Sequence, residues 1–345
     1  MITAALGPLL DSAPPDLDTS LVAGWLSTHW GFSGRLSPLT SERDLNHRLD
    51  APQGRFVVKI ANRAEPHAMT RFQTHALRHA AGRDPALPIP HVVTTTNDAA
   101  DVILPSGHLM RVLTWLDGQP LATLPPRPLQ ATGVARLGAR LARALQGFAD
   151  PAADHALQWD IKRAASLRPL LPHITDTSLR ALATATLDRF DMQVAPALPA
   201  LRWQVIHGDL NPHNLLGDPA APDHVTGILD FGDMVLTPMI CDLAIAAAYM
   251  LDPADPGGSL ADFAAAWAAE YPLTAAEIAL IPDLVAARMV TTLAITSFRA
   301  TRYPENAPYI LRNVPSAAQG LTALAGAGPQ ALSRALSRLT PMDAP

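Results

Sequence analysis

The sequence predicts an α+β protein in two lobes: a small β-rich lobe with one long helix, then a larger, mainly helical lobe. Three observations carry this. Short apolar, β-branched runs crowd into residues 21–113. Helical spacing dominates beyond residue 120. Between them lies Trp115-Leu116-Asp117-Gly118-Gln119-Pro120, rich in turn residues and read as a hinge over 114–119.

The elements follow in order. Residues 1–20 are a loose lead-in of Pro, Asp and Ser. Leu21 to Trp30 reads as a short helix closed by Gly31. Arg35 to Leu39 and Asn46 to Leu49 are strands joined by the polar turn Thr40 to Asp44, and RFVVKI over 55–60 is a third. Glu65 to Ala81 has helical spacing and stops at Gly82. His91 to Thr95 and Leu109 to Leu113 complete the small lobe, 21–113. In the large lobe, 120–345, helices are expected at Leu129–Phe148, Ser178–Val194, Leu260–Glu270 and Ala275–Ala300, with short strands returning over 203–233.

Composition excludes several classes. With 48% hydrophobic and 17% charged residues, the chain of 345 residues has ample material for a core and is not disordered. A net charge of -5 argues against a nucleic-acid-binding surface. No stretch reaches the roughly 18 uncharged apolar residues of a spanning helix. Met239–Leu251 is interrupted by Asp242, and Ile281–Ser297 by Asp283 and Arg288. With no export signal and the single Cys241, a cytoplasmic protein is expected. Nothing in the sequence sets an oligomeric state.

Two loops carry the chemistry. Residues 205–214 read VIHGDLNPHN and residues 227–233 read GILDFGD, each an apolar run that delivers carboxylates and an amide. Phosphoryl transfer needs a group to orient the attacking hydroxyl, oxygen ligands for Mg2+, and cations on the phosphates. His207-Gly208-Asp209 precedes Asn214 at the Asp-to-Asn spacing of kinases, and Asp230-Phe231-Gly232 follows in the right order. An Asx-rich turn would explain the first motif and a helix cap the second, but neither explains the ordered pair. A zinc site on His207, His213 and His224 fits no standard spacing. His207 reads as a buried structural histidine. Asp233 reads either as an extra metal or substrate contact or as a loop cap.

The basic residues are almost all arginine, and the only lysines are Lys59 and Lys162. An ammonium in RFVVKI must reach solvent or pair with an anion, so Lys59 is assigned to nucleotide phosphates over a solvated edge position. Lys162 reads as a surface residue.

These motifs resemble the aminoglycoside phosphotransferase and choline kinase superfamily, which has a protein-kinase-like fold. H-G-D-x-x-x-x-N is the form that superfamily uses. The runs LTSERDLNHRL, KIANRAEP, GILDFGDMVLTPMICDLAIAAAYML and RATRYPENAPYI are similar to its hydroxylysine kinase-like branch. The resemblance spans roughly residues 25–315. It implies Asp209 as catalytic base, Asn214 and Asp230 as Mg2+ ligands, and Lys59 on the phosphates of ATP or GTP. It implies a phosphate-covering loop over Thr40 to Asn46, including Ser41, Arg43 and Asn46, and a hinge around Leu113 and Trp115 that meets the purine. Asp242 would brace the catalytic loop.

Two departures stand out: the loop lacks the glycine-rich pattern, and Gln73 stands where a helical glutamate would pair with Lys59. Glu65 is the nearest acid. The acceptor implied is a hydroxylated amine or amino acid, with Asp233, Arg288 (for a carboxylate), Tyr303, Asn306 and Tyr309 as candidate contacts. Packing roles explain the last four equally well. Homoserine, choline and aminoglycosides are acceptors of the same class. A nucleotide-binding pseudokinase is the alternative of another class, opposed by the joint presence of Asp209, Asn214, Asp230 and Lys59. A protein kinase is disfavoured because H-G-D replaces H-R-D and no A-P-E segment follows.

Overall fold

The computed structural model describes residues 14–41, 43–127 and 129–342. Helix α1 (Thr19–Trp30) starts at Asp18, whose carboxylate accepts from Ser20 N. It ends at Gly31, in the left-handed region with φ 66°. Strands β1 (Arg35–Leu39), β2 (Leu45–Ala51) and β3 (Gly54–Ile60) follow, then α2 (His67–Arg83), β4 (Val92–Val93), β5 (Val102–Ile103) and β6 (Leu109–Thr114). The antiparallel sheet runs β1-β2-β3-β6-β4, with β5 also paired to β6. The short β5 was not expected from the sequence.

The period of two in a strand divides the apolar run of β3 between two faces. Phe56, Val58 and Ile60 pack with Val22, Leu26 and Trp30 of α1. Val57 turns to the other face and joins the core that holds Phe72 and Leu77 of α2. Lys59 shares the parity of Val57. The register sets Asn46 of β2 and Arg111 of β6 on either side of it. One row of polar side chains therefore faces away from α1.

Residues 115–118 lead from β6 to β7 (Gln119–Pro120). Helices α3 (Gln130–Ala144) and α4 (Thr177–Arg189) follow, separated by 3-10 turns over Ile161–His173. Strand β8 (Trp203–Ile206) precedes β9 (Leu215–Asp218), β10 (Ala221–Ile228) and β11 (Val235–Pro238). These form two small sheets, β10-β9-β7 and β11-β8. The chain then runs through α5 (Ile240–Met250), α6 (Pro256–Ala268), α7 (Ala275–Arg302), α8 (Ala307–Ile310) and α9 (Val314–Leu336). Helix α7 is long and apolar enough to cross a membrane, yet 78% of its most apolar window is buried in the large lobe. It is a core helix. Its start is fixed by a capping box between Thr274 and Glu277, and the Glu277 carboxylate also takes two bonds from Arg202, at 2.8 and 2.6 Å. That pair ties α7 to the entrance of β8.

Three helices lay outside the sequence reading: α5, the four-residue α8 and α9. Residues Ile240 to Ala247 of α5 are all buried, so no polar stripe advertises a helical period. Helix α9 is kinked at Gly328, φ 76°, with Pro329 next to it, and both depress helix propensity.

Candidate active site

The floor of the site is the loop between β8 and β9. β11 lies antiparallel to β8, with Val235 opposite Ile206, which brings residues 230–233 beside residues 207–214. Asp242, in the first turn of α5, is fully buried and accepts from His207 N at 3.1 Å and Gly208 N at 3.0 Å. Burial pushes its carboxyl above the ordinary value, against the pull of His207 and the two amides toward the anion. The bracing role expected for Asp242 is therefore a pair of backbone bonds. His207 is buried too: its Nε2 bonds to Leu229 O at 2.9 Å and its Nδ1 accepts from Asp209 N at 3.2 Å. A carbonyl can only accept, so the ring carries its proton on Nε2. Gly208 has φ 82°, and a Cβ there would lie 2.3 Å from Asp233 O. Glycine is required where the two loops touch.

Asp209 is held through both oxygens. Its Oδ2 accepts from Asn211 Nδ2 at 2.7 Å and Asn214 Nδ2 at 2.8 Å, and its Oδ1 from Arg288 Nη2 at 2.9 Å. Asn214 Nδ2 also reaches Asp209 O, which leaves the Asn214 carbonyl oxygen for another partner.

Asp230 adopts φ 56°, a left-handed conformation that few residues other than glycine take up readily. It is open to the cleft. Burial by the surrounding walls pushes its carboxyl up, but Lys59, Arg43 and His207 outweigh this and hold it below the ordinary value. Asp233 behaves oppositely. Burial and the nearby Asp209 and Asp230 raise it to about 6, against the pull of Arg43 and Arg288. No group of three or more His, Cys, Asp or Glu side chains fit for a metal occurs among the described residues. A Mg2+ ion needs no such cluster, since it takes one or two carboxylates and completes its octahedron with phosphate and water. The anionic Asp230 and the uncommitted Asn214 oxygen fit such an ion.

The small lobe roofs the cleft. Lys59 Nζ lies 3.9 Å from Asp44 Oδ2, so its charged partner is neither Gln73 nor Glu65. Gln73 Oε1 instead accepts from Arg111, and Glu65 Oε2 accepts from Thr70 Oγ1 at 2.8 Å. Arg111, fully enclosed beside Lys59, also donates to Thr70 O and Thr74 Oγ1 and so pins α2 to the sheet. The Asp44 amide donates to Ser41 Oγ, which turns the loop over Thr40 to Asn46; Glu42 lies outside the described residues. Arg43 reaches across the cleft to Asp233, 3.3 Å away. Asn46 Oδ1 is buried with no hydrogen-bond partner, an orphan that a ligand would satisfy. Leu113 is buried and Trp115 carries Arg48 at 4.9 Å over its ring; neither lines this cleft.

The resulting cavity is about 340 Å3 and holds Ser41, Arg43, Asn46, Lys59, Asp209, Asn214, Asp230 and Asp233 on one lining. Its far wall brings Arg288, Tyr309, Trp159, Tyr249 and Arg312. Arg288 lies between aromatic rings, its Cζ 5.4 Å from Trp159 and 5.6 Å from Tyr249. Tyr303, which caps the end of α7, and the exposed Asn306 are not part of the lining. Trp159, Tyr249 and Arg312 were missed, because nothing local to them marks a site. Lys162 is a correction as well. Its side chain is 10% exposed, pairs with the buried Asp160 at 3.0 Å and bonds to Leu236 O. A larger groove of about 910 Å3 between α4, α7 and α9 is lined chiefly by residues such as Leu182, Ile278, Leu321 and Leu324. Its polar lining includes Asp283 and Gln330, but none of the motif residues 207–214 or 230–233 reaches it.

Two lobes around a cleft that gathers Asp209, Asn214, Asp230 and the strand lysine Lys59 are the arrangement of a kinase-like phosphotransferase that acts on a hydroxyl group. The chain belongs to the APH phosphotransferase enzyme family, whose model matches residues 35–277. It is 28% identical over 334 residues to hydroxylysine kinase of Mus musculus, a match covering 87% of each chain. Among solved structures, the microcompartment-associated aminopropanol kinase superposes with a TM-score of 0.69 at 20% identity, covering 94% of this chain and all of its own. Amicoumacin kinase in complex with AMP-PNP, Ca2+ and Ami gives a TM-score of 0.64 at 13% identity, with coverages of 86% and 93%. Both solved structures share the fold.

Proposed function

We propose that the protein transfers the γ-phosphoryl group of ATP or GTP, with Mg2+, to a hydroxyl of an amino-acid-like or amine metabolite of the hydroxylysine type. The carrying observation is the convergence of Asp209, Asn214, Asp230 and Lys59 on one cleft. Asp209 accepts the proton of the attacking hydroxyl. Asp230 and the Asn214 oxygen hold the metal, which neutralises charge on the phosphates. Lys59 and Arg43 supply the cations above them. The similarity to hydroxylysine kinases supports the acceptor class. The cytoplasm, where nucleotide and Mg2+ are plentiful, is the matching location.

The test is phosphate transfer from ATP and GTP to 5-hydroxylysine, 1-aminopropan-2-ol, homoserine, choline and kanamycin, with and without Mg2+. Metal-dependent transfer to a hydroxylated amino acid or amine is expected. Nucleotide binding without transfer to any member would favour the pseudokinase reading.

A further inference from the structure

We propose that Arg312, held by Tyr309 and His213, is the receptor for a carboxylate on the acceptor, and that Arg288, the residue first assigned to that task, positions Asp209 instead. This rests on the kinase reading above. Both terminal nitrogens of Arg288 are committed, and the Nε that lacks a partner is buried. Its Nη2 donates to Asp209 Oδ1 at 2.9 Å and Tyr249 Oη at 3.1 Å, and its Nη1 to Trp159 O at 3.4 Å. Its side chain is 2% exposed and its charge is met by Asp209. A substrate carboxylate could reach it only by displacing the catalytic base.

Arg312 is built differently. Its Cζ lies 3.8 Å over the Tyr309 ring, its Nη1 donates to Tyr309 O at 2.9 Å, and its Nε donates to His213 Nε2 at 3.3 Å. Arg312, though exposed at the cleft mouth, is thus tied at three points, lines the cleft, and has no carboxylate partner among the described residues. Its Nη2 and the second Nη1 proton form a fork that suits a carboxylate.

Charge along the cleft agrees. The acids in the lining are Asp44, Glu65, Asp209, Asp230 and Asp233, all from the roof and the floor. The wall from α7 to residue 313 contributes Arg288, Arg299 and Arg312 and no acid. An acceptor that is only cationic meets like charge there. A hydroxy amino acid presents its hydroxyl to Asp209 and its carboxylate to Arg312.

The experiment compares acceptors that differ only by the carboxylate: 5-hydroxylysine with 1,5-diaminopentan-2-ol, threonine with 1-aminopropan-2-ol, and homoserine with 3-aminopropan-1-ol. In whichever pair turns over, the wild type is expected to favour the acid by on the order of 10- to 100-fold in kcat/KM, the value of a charge-assisted pair of hydrogen bonds. Arg312→Gln should bring that ratio toward one, with the loss carried by KM for the acid, as for a uniform binding contact. Tyr309→Leu, which removes the ring and keeps the charge, should lower the ratio less. A wild-type ratio near one, or a ratio unchanged in Arg312→Gln, overturns the receptor while leaving the kinase reading intact. Transfer to none of the acceptors overturns the kinase reading and the receptor with it.

Discussion

The floor of the cleft and its far wall meet at Asp209, yet they are constructed differently. On the floor, backbone groups do most of the holding. Asp242 takes two amides, Leu229 O takes His207, and Gly208 fits against the carbonyl of Asp233. The wall relies on side chains from distant segments: Trp159 before the 3-10 turns, Tyr249 at the end of α5, Arg288 in α7, and Arg312 beyond α8. A floor tied by backbone tolerates few substitutions, because each group is fixed by main-chain geometry. A wall of side chains, if it binds the acceptor as proposed, can change its acceptor without disturbing the chemistry. Variants on the two surfaces should therefore separate cleanly, with floor changes striking turnover or folding and wall changes striking acceptor choice.

The largest effect is expected at the meeting point. Asp209→Asn should lower turnover by roughly 10²-fold or more, the usual contribution of a positioned general base. Nucleotide affinity measured by calorimetry should stay close to wild type, since in the proposed reaction Asp209 acts on the acceptor hydroxyl. Undiminished turnover would remove Asp209 from its role and the floor from the chemistry.

Next in size are changes to buried support. Lys162→Met would leave Asp160, whose side chain is 1% exposed, without its cation. Breaking a buried pair by removing one partner costs about 3–5 kcal/mol. Chemical denaturation should show that loss, while a surface lysine would show almost none. Gly208→Ala combines a φ of 82° with a Cβ 2.3 Å from Asp233 O. Strain of this kind costs about 1–3 kcal/mol. It should lower both stability and turnover, because it moves the loop that carries Asp209. A Gly208→Ala protein with wild-type turnover would show that the floor is more compliant than its bonds imply.

The same contrast governs what the sequence could reveal. The floor is legible because its parts lie close together in the chain, between His207 and Asp242, and their spacing reflects one loop and one turn. Lys59 is legible as a cation that an apolar strand cannot bury alone. Its partner is not, because Asp44 comes near only through the β2–β3 register and the turn before it. Gln73 falls at the expected place on α2 but bonds to Arg111, a contact decided by β6 pairing with β3. Lys162 reads as a polar helical residue because its carbonyl partner, Leu236, is 74 positions away. The wall is the extreme case, since Arg288 and Trp159 meet across 129 positions. The run RATRYPENAPYI stood out by resemblance; of its candidate residues Tyr309 lines the cleft while Tyr303 and Asn306 do not, and Arg312 lies two positions beyond its end.

The smallest predicted effect probes the electrostatics shared by floor and roof. Asp233 titrates near 6 because it is buried beside Asp209 and Asp230, with Arg43 opposing. An unfolded aspartate titrates near 4. The folded protein therefore binds this proton more tightly, so the group's stabilising contribution is complete below about pH 4 and is lost as pH rises through about 6. Above that, the ionised carboxylate is a liability which Asp233→Asn lacks, although the amide oxygen can still accept from Arg43. In the absence of nucleotide and metal, the Tm of Asp233→Asn relative to wild type should rise between pH 5 and pH 7. A gain of about 2 °C is expected for a chain of this size. A difference flat across that range would show that Arg43 alone offsets the two neighbouring carboxylates. The acidic floor and the basic roof would then already be balanced before any nucleotide arrives.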